Sequence, residues 1–325
     1  MPSPLERQLL VVTGKGGVGK TTIAAAIGLL AAQRGLSAIV VEVGEQSRVP
    51  GLFGIAARQP GVETALQERL SSISIDPDRA LLEWLQALGG RVSGRVLASS
   101  GTFQYFAAAA PGAKELVTMV KIWELTQAKR WQRRAAGYDL VVIDAPASGH
   151  ALGMLRSPHT FGAIARVGPI AGQAEKVRAL LENPARAAYL AVALATEMAV
   201  TEALELQDGL RVQLGQPLSA VVVNGLLPQR FSGAELHRIT AVDDRASAAA
   251  HSAGAAHASA GGQAELRRSA VRAARSVHER ARLQRNQLAR LRRRGFTVMG
   301  VPFMWGAQLD LPAVRTIAAR LARRL

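Results

Sequence analysis

Short apolar runs recur along the chain and alternate with longer stretches in which the apolar positions fall three and four apart. The runs are Gln8–Thr13, Ala38–Val43, Asp139–Asp144, Ala188–Leu194, Ser219–Asn224 and Phe296–Val301. Several are continuous in Val, Ile and Leu rather than alternating, as strands read when helices cover both faces of a parallel sheet. The helical spacing between them begins with a helix over Thr21–Gln33. The pattern predicts an α/β fold: a doubly wound, mostly parallel sheet forming one domain over residues 1–325.

Between Gly54 and Ala136 the alternation lapses, and only Ser72–Ile75 reads as extended. Asp76-Pro77-Asp78 opens a helix that continues through Leu81, Leu82, Trp84, Leu85 and Leu88 and is expected to end at Gly89-Gly90. A second helix is predicted from near Pro111, with Leu116, Met119, Val120 and Trp123 as its apolar stripe. A helical insertion over about residues 55–136, lying across the strand ends, is therefore expected. Phe103, Tyr105, Phe106, Met119, Trp123 and Trp131 would line a groove in it or form its core, and helical spacing favours core. Residues 246–263 are nearly all Ala, Ser, Gly and His, and predict a flexible loop. A long helix then runs to about Arg294 on an apolar stripe of Ala270, Ala274, Val277, Ala281, Leu288 and Leu291, with a lapse at Gln284 and Gly295 closing it. No apolar run reaches the roughly 18 residues of a membrane span.

The first strand leads directly into Gly14-Lys15-Gly16-Gly17-Val18-Gly19-Lys20-Thr21-Thr22, a G-x-x-x-x-G-K-T pattern set between strand and helix. Its glycines let the backbone turn its N–H groups inward, and the helix N-terminus adds its positive end, so a polyphosphate is the expected ligand of Gly14 to Thr22. Lys20 is placed to reach the β- and γ-phosphates, and the Thr21 hydroxyl to ligate Mg²⁺. The strand Tyr138–Asp144 ends in an acid, and Asp144 is the second expected Mg²⁺ residue.

The 325 residues contain no cysteine, which excludes disulfides, iron–sulfur ligation and thiolate zinc sites. Glu6 precedes the first strand and nothing there reads as a secretory signal, so a cytoplasmic protein is expected. The net charge of +16 is uneven. Residues 264–325, expected to form basic C-terminal helices, carry 15 arginines against Glu265, Glu279 and Asp310. Such a face attracts nucleic acid, anionic lipid or acidic protein, or is simply solvated. No aromatic residues interleave with the arginines, which favours the solvated reading over nucleic acid.

Two stretches carry a family resemblance. Lys15 turns the loop into K-G-G-V-G-K-T-T, which resembles the deviant P-loop of the ATPase group that includes nitrogenase iron protein and ArsA. Asp144-Ala145-Pro146-Ala147-Ser148-Gly149-His150-Ala151-Leu152 resembles the switch II sequence D-T-A-P-T-G-H-T-L of the ArsA family. Ile75-Asp76-Pro77, Ala110–Glu115, Val223-Asn224 and Val301-Pro302-Phe303 are supporting likenesses. The resemblance implies an ATP-binding, Mg²⁺-dependent ATPase. It implies a dimeric nucleotide switch in which Lys15 reaches the partner's nucleotide, as homodimer or as heterodimer with a related ATPase. It implies Asn224, Pro302 and Phe303 near the base, and a hydrophobic cargo or membrane partner as output. Three departures qualify it. The family's switch I reads D-P-A-H with the Asp positioning water, whereas here Gly44 takes that place beside Glu45, two residues after Glu42. With Lys15 and Lys20, Glu45 is the candidate catalytic side chain, and Glu42 is the other carboxylate within reach. If neither serves, a lost general base costs about 10²–10⁴ in rate, giving a slow ATPase or the weaker half of a heterodimer. The chain also lacks a C-x-x-C pair and any arsenite-binding cysteine, which disfavours a zinc-clasped dimer and an arsenite-specific role. A ParA/MinD-like positioning ATPase on DNA or membrane is the alternative resemblance.

Overall fold

Continuous apolar runs can only be satisfied where a strand is covered on both faces, and the architecture follows from that. The computed structural model describes residues 3–44, 47–99, 112–132, 135–164, 168–252, 258–306 and 309–325. Its strands are β1 (Leu9–Thr13), β2 (Ala38–Val43), β3 (Thr64–Gln67), β4 (Leu70–Ile75), β5 (Leu140–Asp144), β6 (Ala187–Leu194), β7 (Ala220–Leu226) and β8 (Val298–Pro302). They form one sheet in the order β3-β4-β2-β5-β1-β6-β7-β8. Every pairing is parallel except β3 against β4. All five residues of β1 are buried between β5 and β6. The strand order reverses around β1, because the chain passes from β1 out to β2 on one side and from β5 across to β6 on the other. Ligands of open α/β sheets bind at such a crevice, outside the carboxyl ends of the strands.

The helices are α1 (Lys20–Gln33), α2 (Val49–Leu52), α3 (Pro77–Ser99), α4 (Ala113–Leu125), α5 (Ser148–Ile164), α6 (Pro169–Leu181), α7 (Glu197–Leu214), α8 (Gly233–Ser252), α9 (Ala258–Arg293) and α10 (Leu311–Leu321). On one face α1 and α10 share a core with Leu10, Val12, Val40 and Val222. On the other, α4 to α7 cover Leu9, Val11, Ile39 and Ile143. α1 is buried almost all round, from Thr22 to Ala31. It can lie so close to the sheet because it is rich in Ala and Gly: a Cβ at Gly28 would stand 2.6 Å from Val40 Cγ2.

The structure departs from the sequence expectations in four places. The stretch assigned to a helical insertion begins with strands: β4 extends the sheet beside β2, and β3 adds an antiparallel edge. β3 has four residues, too few for a periodic signal. α3 runs through Gly89-Gly90 to Ser99, since glycine weakens a helix by about 1 kcal/mol without being obliged to end it. Within that helix Trp84 and Leu85 are buried, whereas Leu82 and Leu88 face outward. The Ala/Ser/Gly stretch of residues 246–263 is entered by α8 up to Ser252 and left by α9 from Ala258, because alanine favours helix over loop. On α9 the buried stripe runs through Val271, Ala274, Ala281, Leu288 and Leu291, while Ala270 is exposed. Gln284, which interrupts the stripe, accepts from Leu227 N–H at 2.8 Å and donates to Gly225 C=O at 3.1 Å, so it docks the helix on the end of β7.

A buried charge cluster fixes how the α4 region returns to the sheet. Glu124 and Arg130 have fully buried side chains 2.6 Å apart. Lys121 bridges Glu124 at 2.9 Å and Glu83 of α3 at 2.7 Å, and Arg130 reaches Glu63 at 2.7 Å. Burial alone would push the Glu124 carboxyl up, but the Arg130 hydrogen bond and the charges of Lys121 and Arg130 outweigh it and hold the group below its ordinary value. Arg130→Met would take one of two cations from the buried Glu124 carboxylate, leaving Lys121 and the Trp131 N–H, and we expect a loss of about 1–3 kcal/mol in urea unfolding. The sign of the pH dependence follows from the depressed pKa. Glu124 stabilises the fold above its unfolded value near 4.5, and that contribution fades as pH falls through the lower folded value. Acid unfolding of the wild type should therefore be steeper below pH 4.5 than that of Arg130→Met.

Candidate nucleotide site

Parallel register brings three strand ends together. Val12 pairs with Asp144, and Asp144 pairs with Glu42, so the loops after β1, β2 and β5 open on one crevice. The first loop is pressed against its neighbours. A Cβ on Gly14, whose φ is 146°, would lie 2.0 Å from the Val192 carbonyl oxygen of β6. Gly19 caps α1 in the left-handed region, and a Cβ there would meet Asn224 Nδ2 at 2.4 Å. That same amide donates to the Val18 carbonyl at 2.9 Å, stitching the end of β7 to the loop.

The loop and the start of α1 enclose a cavity of about 560 Å³ with Lys20, Thr21, Glu42, Arg48 and Asp144 in its lining. Lys20 Nζ donates to the Lys15 carbonyl at 3.1 Å. Burial lowers the Lys20 pKa, against the pull of the Asp144 and Glu202 carboxylates. Thr21 Oγ1 donates to Asp144 Oδ2 at 2.6 Å. The other oxygen, Asp144 Oδ1, is buried with no hydrogen-bond partner among the described residues. Burial raises the Asp144 pKa, and the Thr21 hydrogen bond and the charges of Lys20 and Arg48 oppose the rise.

An orphaned carboxylate oxygen beside a threonine hydroxyl is a fit for Mg²⁺, which takes one or two protein oxygens and completes its shell with water and substrate phosphate. Among the described residues no group of three His, Cys, Asp or Glu could hold a metal unaided, so the Thr21–Asp144 pair is suited to an ion that arrives with a phosphate ligand.

The expected loop residues Gly14 to Thr22 thus meet Asp144 at one cavity. The remaining expected residues divide. Lys15 Nζ lies 3.6 Å from Glu202 Oε2 on α7, and the Ser148 hydroxyl, at the start of α5, bonds to Glu202 Oε1. Sequence reasoning missed Glu202, which no local motif marks. Asn224 touches the loop, as above. Pro302 ends β8, and Phe303 N–H donates to the Leu226 carbonyl at 2.9 Å. The Phe303 ring is partly exposed and meets Trp305 edge-on, with centroids 4.7 Å apart. Neither Pro302 nor Phe303 is in the lining of the cavity beside Lys20. Glu45 lies outside the described residues. Glu42 is 3% exposed and turned into its own loop. Its Oε1 accepts from Arg48 N–H at 2.5 Å and Val49 N–H at 3.0 Å, and its Oε2 from Ser47 Oγ at 3.1 Å. Burial raises its pKa, and these hydrogen bonds counter the rise. The carboxylate caps the entry to α2 and is occupied in doing so.

A parallel sheet whose first strand leads through a glycine-rich loop into a helix, with an acid ending the adjacent strand, defines a P-loop nucleotide-binding protein. The sequence profile of the anion-transporting ATPases, the ArsA family, matches residues 7–170, and the chain belongs to that family. It is 32% identical to ATPase BagA of Mycobacterium tuberculosis over 236 residues, covering 70% of this chain and 68% of that protein. It is 26% identical over 236 residues to a Halobacterium salinarum protein bearing the provisional name of an arsenical pump-driving ATPase, covering 70% of this chain and 36% of that one. With ATPase GET3 of Paracoccidioides lutzii it shares 27% over 152 residues, 45% of this chain and 42% of the relative. Between the two resemblances drawn from the sequence, these matches fall on the ArsA side.

Asp144→Asn removes the charge while keeping the shape of the side chain. We expect ATP affinity in the variant to lose most of its dependence on added Mg²⁺, read by calorimetric titration with and without the ion; an unchanged Mg²⁺ dependence would remove Asp144 from the metal site.

Proposed function

We propose that the chain is a Mg²⁺-dependent ATPase of the cytoplasm that works as a dimeric nucleotide switch. The observation that carries this reading is the meeting of Lys20, Thr21 and the half-satisfied Asp144 carboxylate at the mouth of the glycine-rich loop. When bound, Mg²⁺ neutralises charge on the terminal phosphates. The loop N–H groups and Lys20 hold the phosphate chain, and Thr21 and Asp144 hold the ion. Asn224, with Pro302 and Phe303 beyond it, stands on the side where the base would lie.

The dimer is supported by the position of Lys15. Its ammonium is drawn to Glu202 rather than into the lining of the cavity that holds Lys20. A lysine so placed is available to a nucleotide in a second copy or a related subunit. Its resting partner Glu202 also holds Ser148, so moving Lys15 disturbs the start of α5. That contact offers a route from nucleotide state to the helices beyond. For the output, hydrophobic cargo or a membrane partner, Met119 is fully buried and Trp123 and Trp131 are partly buried against the core, which supports the core role for these three rather than a groove. Phe103, Tyr105 and Phe106 lie outside the described residues. No helix among the described residues is long and apolar enough to cross a membrane.

A second reading, a weakly hydrolysing half of a heterodimer, is favoured by one observation: the Glu42 carboxylate is consumed by its own loop. Steady-state turnover separates the two. For a competent homodimer, turnover per chain rises with protein concentration and falls by about 10³-fold or more in Lys15→Ala, the scale of a cation supplied to the transferring phosphoryl group. Tight ATP binding with negligible turnover at any concentration would instead establish the second reading.

A further inference from the structure

Glu42 does more than cap a helix: it decides what the loop after β2 presents. Its carboxylate is buried at the strand end and takes the backbone N–H groups of both Arg48 and Val49. Arg48 is the residue that caps α2, with Pro50 in the first turn, so its backbone is held from both sides. With its backbone so held, Arg48 is in the lining of the cavity that also takes in Gly17, Gly19 and Lys20. Among the described lining residues, Lys20 and Arg48 are the cations.

The two cations occupy different ends. Asn224 of β7 contacts the loop from the β6–β7 side, whereas Arg48 approaches from β2, across β1 and β5. A nucleotide whose base lies toward β7 and whose phosphates follow the loop past Lys20 would end at the β2 side, beside Thr21 and Asp144. A terminal phosphate carries the most charge of the chain, and a guanidinium matches its oxygens bidentately. The Arg48 charge also reaches Asp144, which places it within electrostatic range of the expected metal.

We propose that Arg48 is a phosphate-binding residue supplied by the chain to its own site, which contacts the terminal phosphoryl group of a bound nucleoside triphosphate and so distinguishes triphosphate from diphosphate. This rests on the nucleotide reading above and adds to it a specificity residue on the loop after β2. Glu42 is then a positioning residue that acts through the Arg48 backbone.

The test is calorimetric titration of the full chain with Mg·ATP and Mg·ADP, for the wild type, Arg48→Ala, Arg48→Gln and Lys20→Ala. The Gln variant keeps much of the side-chain length and serves should the Ala variant fold poorly by thermal unfolding. Loss of charge-assisted hydrogen bonds predicts that both Arg48 variants bind Mg·ATP about ten- to a hundredfold more weakly, with Mg·ADP changed by no more than about twofold. Equal weakening for both nucleotides, or none for ATP, overturns the assignment of Arg48 while leaving the site intact. Lys20→Ala should lose affinity for both nucleotides. A wild type that binds neither, or a Lys20→Ala chain that binds both undiminished, overturns the nucleotide reading and this proposal with it.

Discussion

The hydrogen bond from Thr21 to Asp144, 2.6 Å long, joins the first turn of α1 to the end of β5. It is possible only because β1 and β5 run parallel and in register, Val12 beside Asp144, so that the helix leaving one strand starts over the end of the other. Once that bond sets the floor of the crevice, the glycine-rich loop has little freedom. The Val192 carbonyl blocks any side chain at Gly14, and Asn224 blocks one at Gly19. The loop is therefore shaped by strands from both sides of β1, and its open face is left to a ligand.

Around that floor, the charged groups are paired before any ligand arrives. Lys15 has Glu202, Glu42 has the loop after β2, and Lys20 has the Lys15 carbonyl. The Asp144 oxygen Oδ1 is the exception among these groups, buried with no partner. A buried acceptor without a donor carries a penalty that a cation removes, so the arrangement favours binding through relief as well as attraction. The same pairing bears on the missing switch I aspartate. Gly44 cannot replace it, and Glu42, although two residues away in sequence, faces the opposite task of holding α2 in place.

Much of this was legible in the sequence because phosphate chemistry and buried strands both constrain residue type locally. Six apolar runs marked six of the eight strands among the described residues to within two residues at each end, and Ser72–Ile75 marked a seventh as a short extended stretch. The G-x-x-x-x-G-K-T pattern placed Lys20 and Thr21, and the acid ending the Asp139–Asp144 run placed Asp144. What escaped was set by tertiary contact. Glu202 matters because α7 brings it under Lys15, a meeting that no periodicity encodes. Gln284 read as a flaw in an apolar stripe, yet its amide satisfies two backbone groups at the end of β7. β3 is a strand because β4 offers an edge, and the run from 246 to 263 enters helices because alanine, unlike glycine and serine, favours them.

The family profile spans residues 7–170, the part of the chain that carries β1, β2 and β5 and the loops after them. Through these strands and loops the structure itself constrains residue type: a glycine where the Val192 carbonyl presses, and a hydroxyl and an acid that meet across the crevice at Thr21 and Asp144. Beyond α5 the demands loosen to packing. α9 needs only one apolar face, met by Val271, Ala274, Ala281, Leu288 and Leu291, and the opposite face is free to accumulate arginine. Two points of the second half reach back to the first: Glu202 to Lys15, and Asn224 to the Val18 carbonyl. Those long-range contacts, rather than the sequence around them, are what make the two halves one machine.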